Sequence, residues 1–310
     1  MSAADLHRIA DAVLSLRPGW VLFSGGEPLL VRELFALARR FTEAGVQTVL
    51  YTSGWTLAAG VPAELPQVFN RVQVSLDGPD AATHDRIRGR ARSFDRAMRG
   101  LARLDEIAAA LGPDRTFSFG IDTVVLRSTF GGVDRFCTEI APRLPHLSRI
   151  TFGAVIPVGL ASRPSFAEAE LLTDEQHAEL GRPGFQARLQ ALAPAVTVAC
   201  DDNKALQLHP ELVARGRASV DLLQIEPDGG VRGMAIYEGV VGNLLDEPAA
   251  DLWARAVARP AEPYVREVLG PVKDMAGWAE AARRLDRHFG SDEVRARIDR
   301  RSIYQPGSAS

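Results

Sequence analysis

Trp20-Val21-Leu22-Phe23-Ser24-Gly25-Gly26-Glu27-Pro28 runs from a short apolar stretch into two glycines, a carboxylate and a proline. The apolar stretch reads as a buried strand. Pro28 stands where a helix would make its first turn, and Leu30, Leu34, Leu37, Ala38 and Phe41 then recur at helical spacing until Gly45. Two glycines let a backbone approach a ligand without Cβ interference, a helix start carries unpaired N–H groups, and Glu27 can hold an ammonium. Taken alone, the segment reads equally well as a tight strand-to-helix turn with a capping acid.

Working outward, Ser2 caps a helix whose apolar face is Leu6, Ile9, Ala10, Val13 and Leu14, ended by Pro18-Gly19. Further strands are expected at 46–51, 71–76, 116–126 and 148–156, with helices at about 93–111 and 131–141. Strands separated by crossovers of this length pair in parallel, so the fold class is α/β with a sheet that can curl into a barrel. The character changes after residue 158. A connection at 161–173 leads to helices over 174–192 and a strand at 195–200. Asp-Gly in Pro227-Asp228-Gly229-Gly230 suits the turn of a hairpin between 221–226 and 231–237. Four helical stretches follow, around 249–258, 261–269, 276–288 and 292–300, and 305–310 reads as a disordered tail. The expected division is therefore 1–160 and 161–304.

A second polar cluster, Ser75-Leu76-Asp77-Gly78-Pro79, also follows a strand and precedes His84-Asp85-Arg86-Ile87-Arg88-Gly89 and Ser93-Phe94. The C-terminal ends of strands are where α/β proteins place ligands, and a hydroxyl, a carboxylate and a guanidinium offer contacts for a ribose, an amine or a carboxylate. The plainer reading is an Asp-Gly-Pro turn with His84 and Arg88 as solvated helix residues, and for His84 that reading is favoured.

The chain has 310 residues, a net charge of −3 and a pI near 6.1, which gives no basic field for nucleic acid and leaves a small molecule or a peptide as the expected ligand. The N-terminus has no continuous apolar stretch of the signal-peptide kind and no segment reaches membrane-span length, so the expected compartment is the cytoplasm. Cys137 and Cys200 lie too far apart for a local CxxC knuckle. His209, Glu211, Asp201 and Asp202 lack an i,i+4 histidine pair, so no metal ligands are expected among them. No GxSxG elbow suggests a serine hydrolase, and no catalytic residue can be singled out.

Taken together and in this order, the GGEP segment, Tyr51-Thr52-Ser53-Gly54, the SLDGP…HDRIRG…SF block, Thr123-Val124-Val125 and 153–159 resemble the radical S-adenosylmethionine (SAM) superfamily over residues 3–158. The resemblance implies a partial (β/α) barrel missing its first strand, with an exposed edge near residues 20–24 open to a protein partner. It implies that Gly25, Gly26 and Glu27 bind the methionine amine and that Ser75 and Arg88 contact the carboxylate. Asp77 would meet the ribose or the substrate, and Val155 and Ile156 would lie beside adenine. Ser53 stands where the family commonly has asparagine. The C-terminal half, through Ile225-Glu226-Pro227-Asp228-Gly229-Gly230-Val231 and 242–248, is similar to a SPASM or twitch extension, here a smaller α+β region, with Gly233-Met234 where a cysteine is usual. The family's [4Fe–4S] cluster needs a CxxxCxxC loop, which this sequence does not contain, and Cys137 and Cys200 cannot replace three clustered thiolates. The expected function is thus SAM binding in a peptide or natural-product modification pathway, as a partner or scaffold without cluster chemistry. The alternatives are an N-terminally shortened active radical enzyme and polar alkyl transfer from the sulfonium.

Overall fold

The computed structural model describes residues 1–112 and 116–305, so the tail read as disordered falls outside the described residues from 306 on. Six strands form one parallel sheet in chain order: β1 (Trp20–Phe23), β2 (Gln47–Thr52), β3 (Arg71–Ser75), β4 (Ser118–Val125), β5 (Arg149–Ala154) and β6 (Thr197–Asp201). Every neighbouring pair is parallel. A sheet that never reverses its strand order, with crossovers of one hand, carries all its helices on one face, as a barrel wall does. The sixth strand was expected in the C-terminal region. It joins this sheet because Val198 and Cys200 continue the register of Ile150 and Phe152.

Register and alternation sort the strand residues into two unlike faces. Val72, Val74, Phe119, Ile121, Ile150, Phe152 and Val198 share one face and are all buried. On this side α2 (Leu34–Glu43), introduced after α1 (Ala3–Ser15), buries Leu34, Leu37, Ala38 and Phe41. The rings of Phe41 and Phe69 meet Phe23 edge-on at 6.1 and 5.6 Å. The opposite face carries Tyr51, Arg71, Gln73, Ser75, Asp122, Arg149 and Thr151. β1 lies at one end of the strand order, with Trp20 52% and Leu22 56% exposed, as expected for an open edge.

Two compact units divide the described chain, and they interleave along the sequence. The sheet unit takes Arg17–Ala154 and Glu175–Asp202; the other takes Met1–Leu16, Val155–Asp174 and the chain from Asn203 on. α1, capped reciprocally by Ser2 and Asp5, packs Ile9, Val13 and Leu16 onto Val231, Val241 and Leu252 of its own unit. The hairpin also differs from expectation. β7 (Gly230–Arg232) pairs antiparallel with β8 (Val240–Asn243), whereas 221–226 contributes only a bridge at Ile225. The helix Ala249–Ala258 packs Ala249, Leu252 and Ala256 against that ribbon, while the helices Pro263–Leu269 and Met275–Phe289 form a second core around Tyr237, whose buried hydroxyl accepts the Trp278 indole N–H at 2.8 Å. Residues 131–141, expected as a helix, form short 3-10 and π segments, where Gly131-Gly132 and Pro142 interrupt an α-helix.

Candidate functional site

The loops that follow β1, β2 and β3 leave the same edge of the sheet, because parallel neighbours share their C-terminal ends. After β1, Gly25 has φ +90°, a backbone that only glycine adopts easily, and a Cβ built on Gly25 or Gly26 meets nothing within 4 Å. The loop therefore borders open space. Glu27 caps the short helical turn Pro28–Leu30, and its carboxylate accepts from Leu29 N–H at 3.3 Å. It also reaches the β2 loop, accepting from the Thr52 hydroxyl at 2.8 Å, the Ser53 N–H at 3.0 Å and the Ser53 hydroxyl at 2.5 Å. Four donors nearly saturate a carboxylate, so Glu27 joins the two loops. The two hydroxyls of Thr52-Ser53 were the sequence signal for this contact.

The second cluster is built around Asp77, whose side chain is buried. One carboxylate oxygen meets Arg88 Nε at 2.7 Å in α4 (Ala81–Arg88), which lies beyond the short helix α3 (Leu65–Val68), and the other accepts from Val124 N–H at 3.0 Å. Arg88, expected to meet a ligand carboxylate, thus already pairs with an acid of this chain, with a third of its side chain exposed. His84 is not solvated. It is 1% exposed, and its Nδ1 accepts the Asp77 N–H at 3.0 Å, which assigns the ring proton to Nε2. Burial pushes its pKa down to about 4, so the ring is neutral. Gly78 makes the approach feasible, since a Cβ there would lie 2.6 Å from His84 N. Asp85 accepts from Phe94 N–H at 2.8 Å and the Ser93 hydroxyl at 2.9 Å, holding the start of α5 (Ser93–Leu111). His84 and Asp85 are therefore the struts of this loop.

Ser75 ends β3 opposite Asp122, and its side chain makes no hydrogen bond among the described residues. Asp122 was not singled out from the sequence. Burial, followed by the Asp77 charge, raises its pKa to about 6, with Arg88 opposing. Burial and then the Asp122 charge raise Tyr51 as well. The polar face is thus electrostatically coupled to the loop cluster at its end. Val155 and Ile156 directly follow β5 and belong to the other compact unit.

Near Gly25, Ser75 and Arg88 the sheet edge offers open backbone, a hydroxyl without a hydrogen bond among the described residues and a guanidinium on a side chain one-third exposed. The thiols do not suit a cluster. Burial raises Cys137 to about 11 and Cys200 to about 12, and no three His, Cys, Asp or Glu side chains among the described residues gather into a metal-holding group. No helix among the described residues is long and apolar enough to cross a membrane.

Residues 1–109 match the radical SAM superfamily. The AdoMet-dependent heme synthase of Methanosarcina barkeri is 35% identical over 160 residues, covering 51% of this chain and 43% of that protein. The mycofactocin maturase MftC of Mycolicibacterium smegmatis is 29% identical over 152 residues, 49% of this chain and 36% of its own length. This chain thus spans less than half the length of either relative. Among solved structures, Streptococcus suis SuiB bound to S-adenosylmethionine superposes over 100% of this chain and 69% of its own, with a TM-score of 0.58 and 13% identity. In complex with the precursor peptide SuiA it covers 97% and 68%, with a TM-score of 0.56 and 13% identity, a likeness of fold. Residues 1–109 thus match the radical SAM superfamily, and the parallel sheet over those residues carries the motifs of that match.

Proposed function

We propose that this chain binds SAM at the Gly25-Gly26-Glu27 loop together with Ser75, Asp77 and Arg88, and takes part in modifying a peptide or related natural product as a partner or scaffold. The observation that carries this reading is the open space at Gly25 and Gly26, on the same sheet edge as the free Ser75 hydroxyl and the Asp77–Arg88 pair. Backbone groups of the glycine loop would receive the ammonium, with Glu27 behind them, and Arg88 would offer its remaining N–H groups to the carboxylate. SAM supplies a sulfonium, an electrophilic carbon source. Because the thiols of this chain do not suit a cluster, no electron-transfer step is assigned to it. The peptide is inferred from SuiB, solved with a precursor peptide, and from a relative named as a maturase.

Calorimetry with SAM tests the reading. Wild type is expected to give saturable heat. Gly26→Val, which fills the open space without a clash, should abolish it with little change in stability. Arg88→Ala should weaken it about tenfold, in line with about 1.5–3 kcal/mol for a charged contact. No heat with wild type overturns the proposal. Anaerobic reconstitution with iron and sulfide should leave no visible charge-transfer absorption after desalting; a stoichiometric signal would overturn the scaffold role.

A further inference from the structure

On the polar face of the sheet, Arg71 opens β3 and Arg149 opens β5, one on each side of β4. Their partners on β4 are Ser118 and Gly120, so the two arginines flank a stretch of strand with almost no side chain of its own. Neighbouring strands lie about 5 Å apart, which puts the two backbones about 10 Å from each other and both guanidinium groups within reach of one point above Gly120. Neither arginine has an ion pair or hydrogen bond with another side chain among the described residues. Arg71 lies only loosely against the Trp20 ring, 5.7 Å from its centroid. Burial, then the charge of Arg149, lowers the Arg71 pKa, so the two cations sense each other with no carboxylate between them.

Gln73 adds an independent sign. Its side chain is 3% exposed, and its Oε1 is buried with no hydrogen-bond partner. It lies directly over Gly120, where a Cβ would come within 2.1 Å of Oε1. A buried carbonyl oxygen without a donor is costly and rare in a folded protein. Tyr51, paired with Gln73 in register, presents a hydroxyl that makes no hydrogen bond among the described residues. Two unpaired guanidinium groups, an orphan acceptor and a free hydroxyl on one face together define a ligand that carries an anion beside an N–H donor.

We propose that Arg71 and Arg149 grip the side-chain carboxylate of an acidic residue in the peptide substrate, while Gln73 Oε1 accepts a backbone N–H of the same peptide. The substrate class rests on the peptide reading above; the site itself does not depend on SAM. An aspartate or glutamate supplies two oxygens for two guanidinium forks, and the adjacent amide supplies the donor that Gln73 lacks.

The test uses the full chain and N-acetyl-glutamate N-methylamide as the probe, followed by side-chain N–H signals of arginine and glutamine in NMR. Saturable shifts of the Arg71, Arg149 and Gln73 signals are expected. The glutamine analogue of the probe should shift them at least tenfold more weakly. Arg149→Gln and Arg71→Gln, checked for unchanged thermal unfolding, should each weaken the glutamate probe about tenfold while leaving SAM calorimetry unaltered. Equal response to the glutamine analogue, full affinity in both variants, or equally strong shifts with inorganic phosphate overturns the assignment. Probe binding in a protein that gives no heat with SAM would sink the SAM reading and leave this site standing; the reverse outcome would sink only the site.

Discussion

The two faces of the six-stranded sheet obey opposite rules. One is a continuous layer of Val, Ile and Phe sealed by helices; the other alternates arginine, glutamine, serine, aspartate and tyrosine along the same strands. A parallel sheet covered on both sides reads as unbroken apolar runs. These strands instead alternate, with an apolar set on one face and a polar set on the other. The difference teaches that stability and chemistry are divided by residue parity: even positions of β3 hold the fold and odd positions offer function.

That division can be broken most sharply on the sealed side. Phe119→Ala should cost about 3–5 kcal/mol in urea unfolding, the range for emptying a large buried site. Acid should act through His84. The fold holds this ring neutral with a pKa of about 4 against 6.5 when free, so the unfolded chain takes up the proton first as pH falls. Stability should therefore be full above pH 6.5 and decline until about pH 4, by about 2–3 kcal/mol. His84→Asn should remove that decline and uncover the opposite slope of Asp122. Its carboxyl titrates near 6 in the fold, so its contribution grows as pH drops from 6 toward 4. Gly120→Ala crosses the divide: the new Cβ meets Gln73 Oε1 at 2.1 Å and Arg149 O at 2.8 Å, and should cost about 1–3 kcal/mol, only partly relieved by Gln73→Ala. Smallest of all, Thr151→Ala on the polar face should stay within about 0.5 kcal/mol of wild type. A cost there equal to that of Phe119→Ala would erase the contrast.

Much of this was legible in the residues. Helical spacing located α5 and the helices at 249–258 and 276–288 almost to the residue, and the Gly25-Gly26 pair and the Asp77-Gly78-Pro79 turn marked the loops after β1 and β3. What local pattern could not carry was pairing at a distance. The strand at 197–201 looks like any short β segment until its register with β5 places it in the sheet. α1 has a proper cap and apolar stripe, yet neither says that Val231 and Leu252 are its partners. The site shows the same limit. Arg88 was visible as a cation, but its pairing with Asp77 depends on α4 folding back over Gly78, and the burial of His84 follows from that fold. Asp122 and Gln73 lie on the strands just before the quoted motifs and outside them, so only the sheet register brings them to notice.

The Glu27 carboxylate has a consequence in time. It ties two loops together through Thr52 and Ser53, residues more than twenty positions away in the chain. A ligand ammonium that draws this carboxylate toward itself must compete with donors already in place. Capture is then expected in two stages, a fast encounter at the glycine loop and a slower exchange of partners. In stopped-flow mixing the observed rate should level off with ligand concentration, and Ser53→Ala, which removes one competing donor, should raise that plateau.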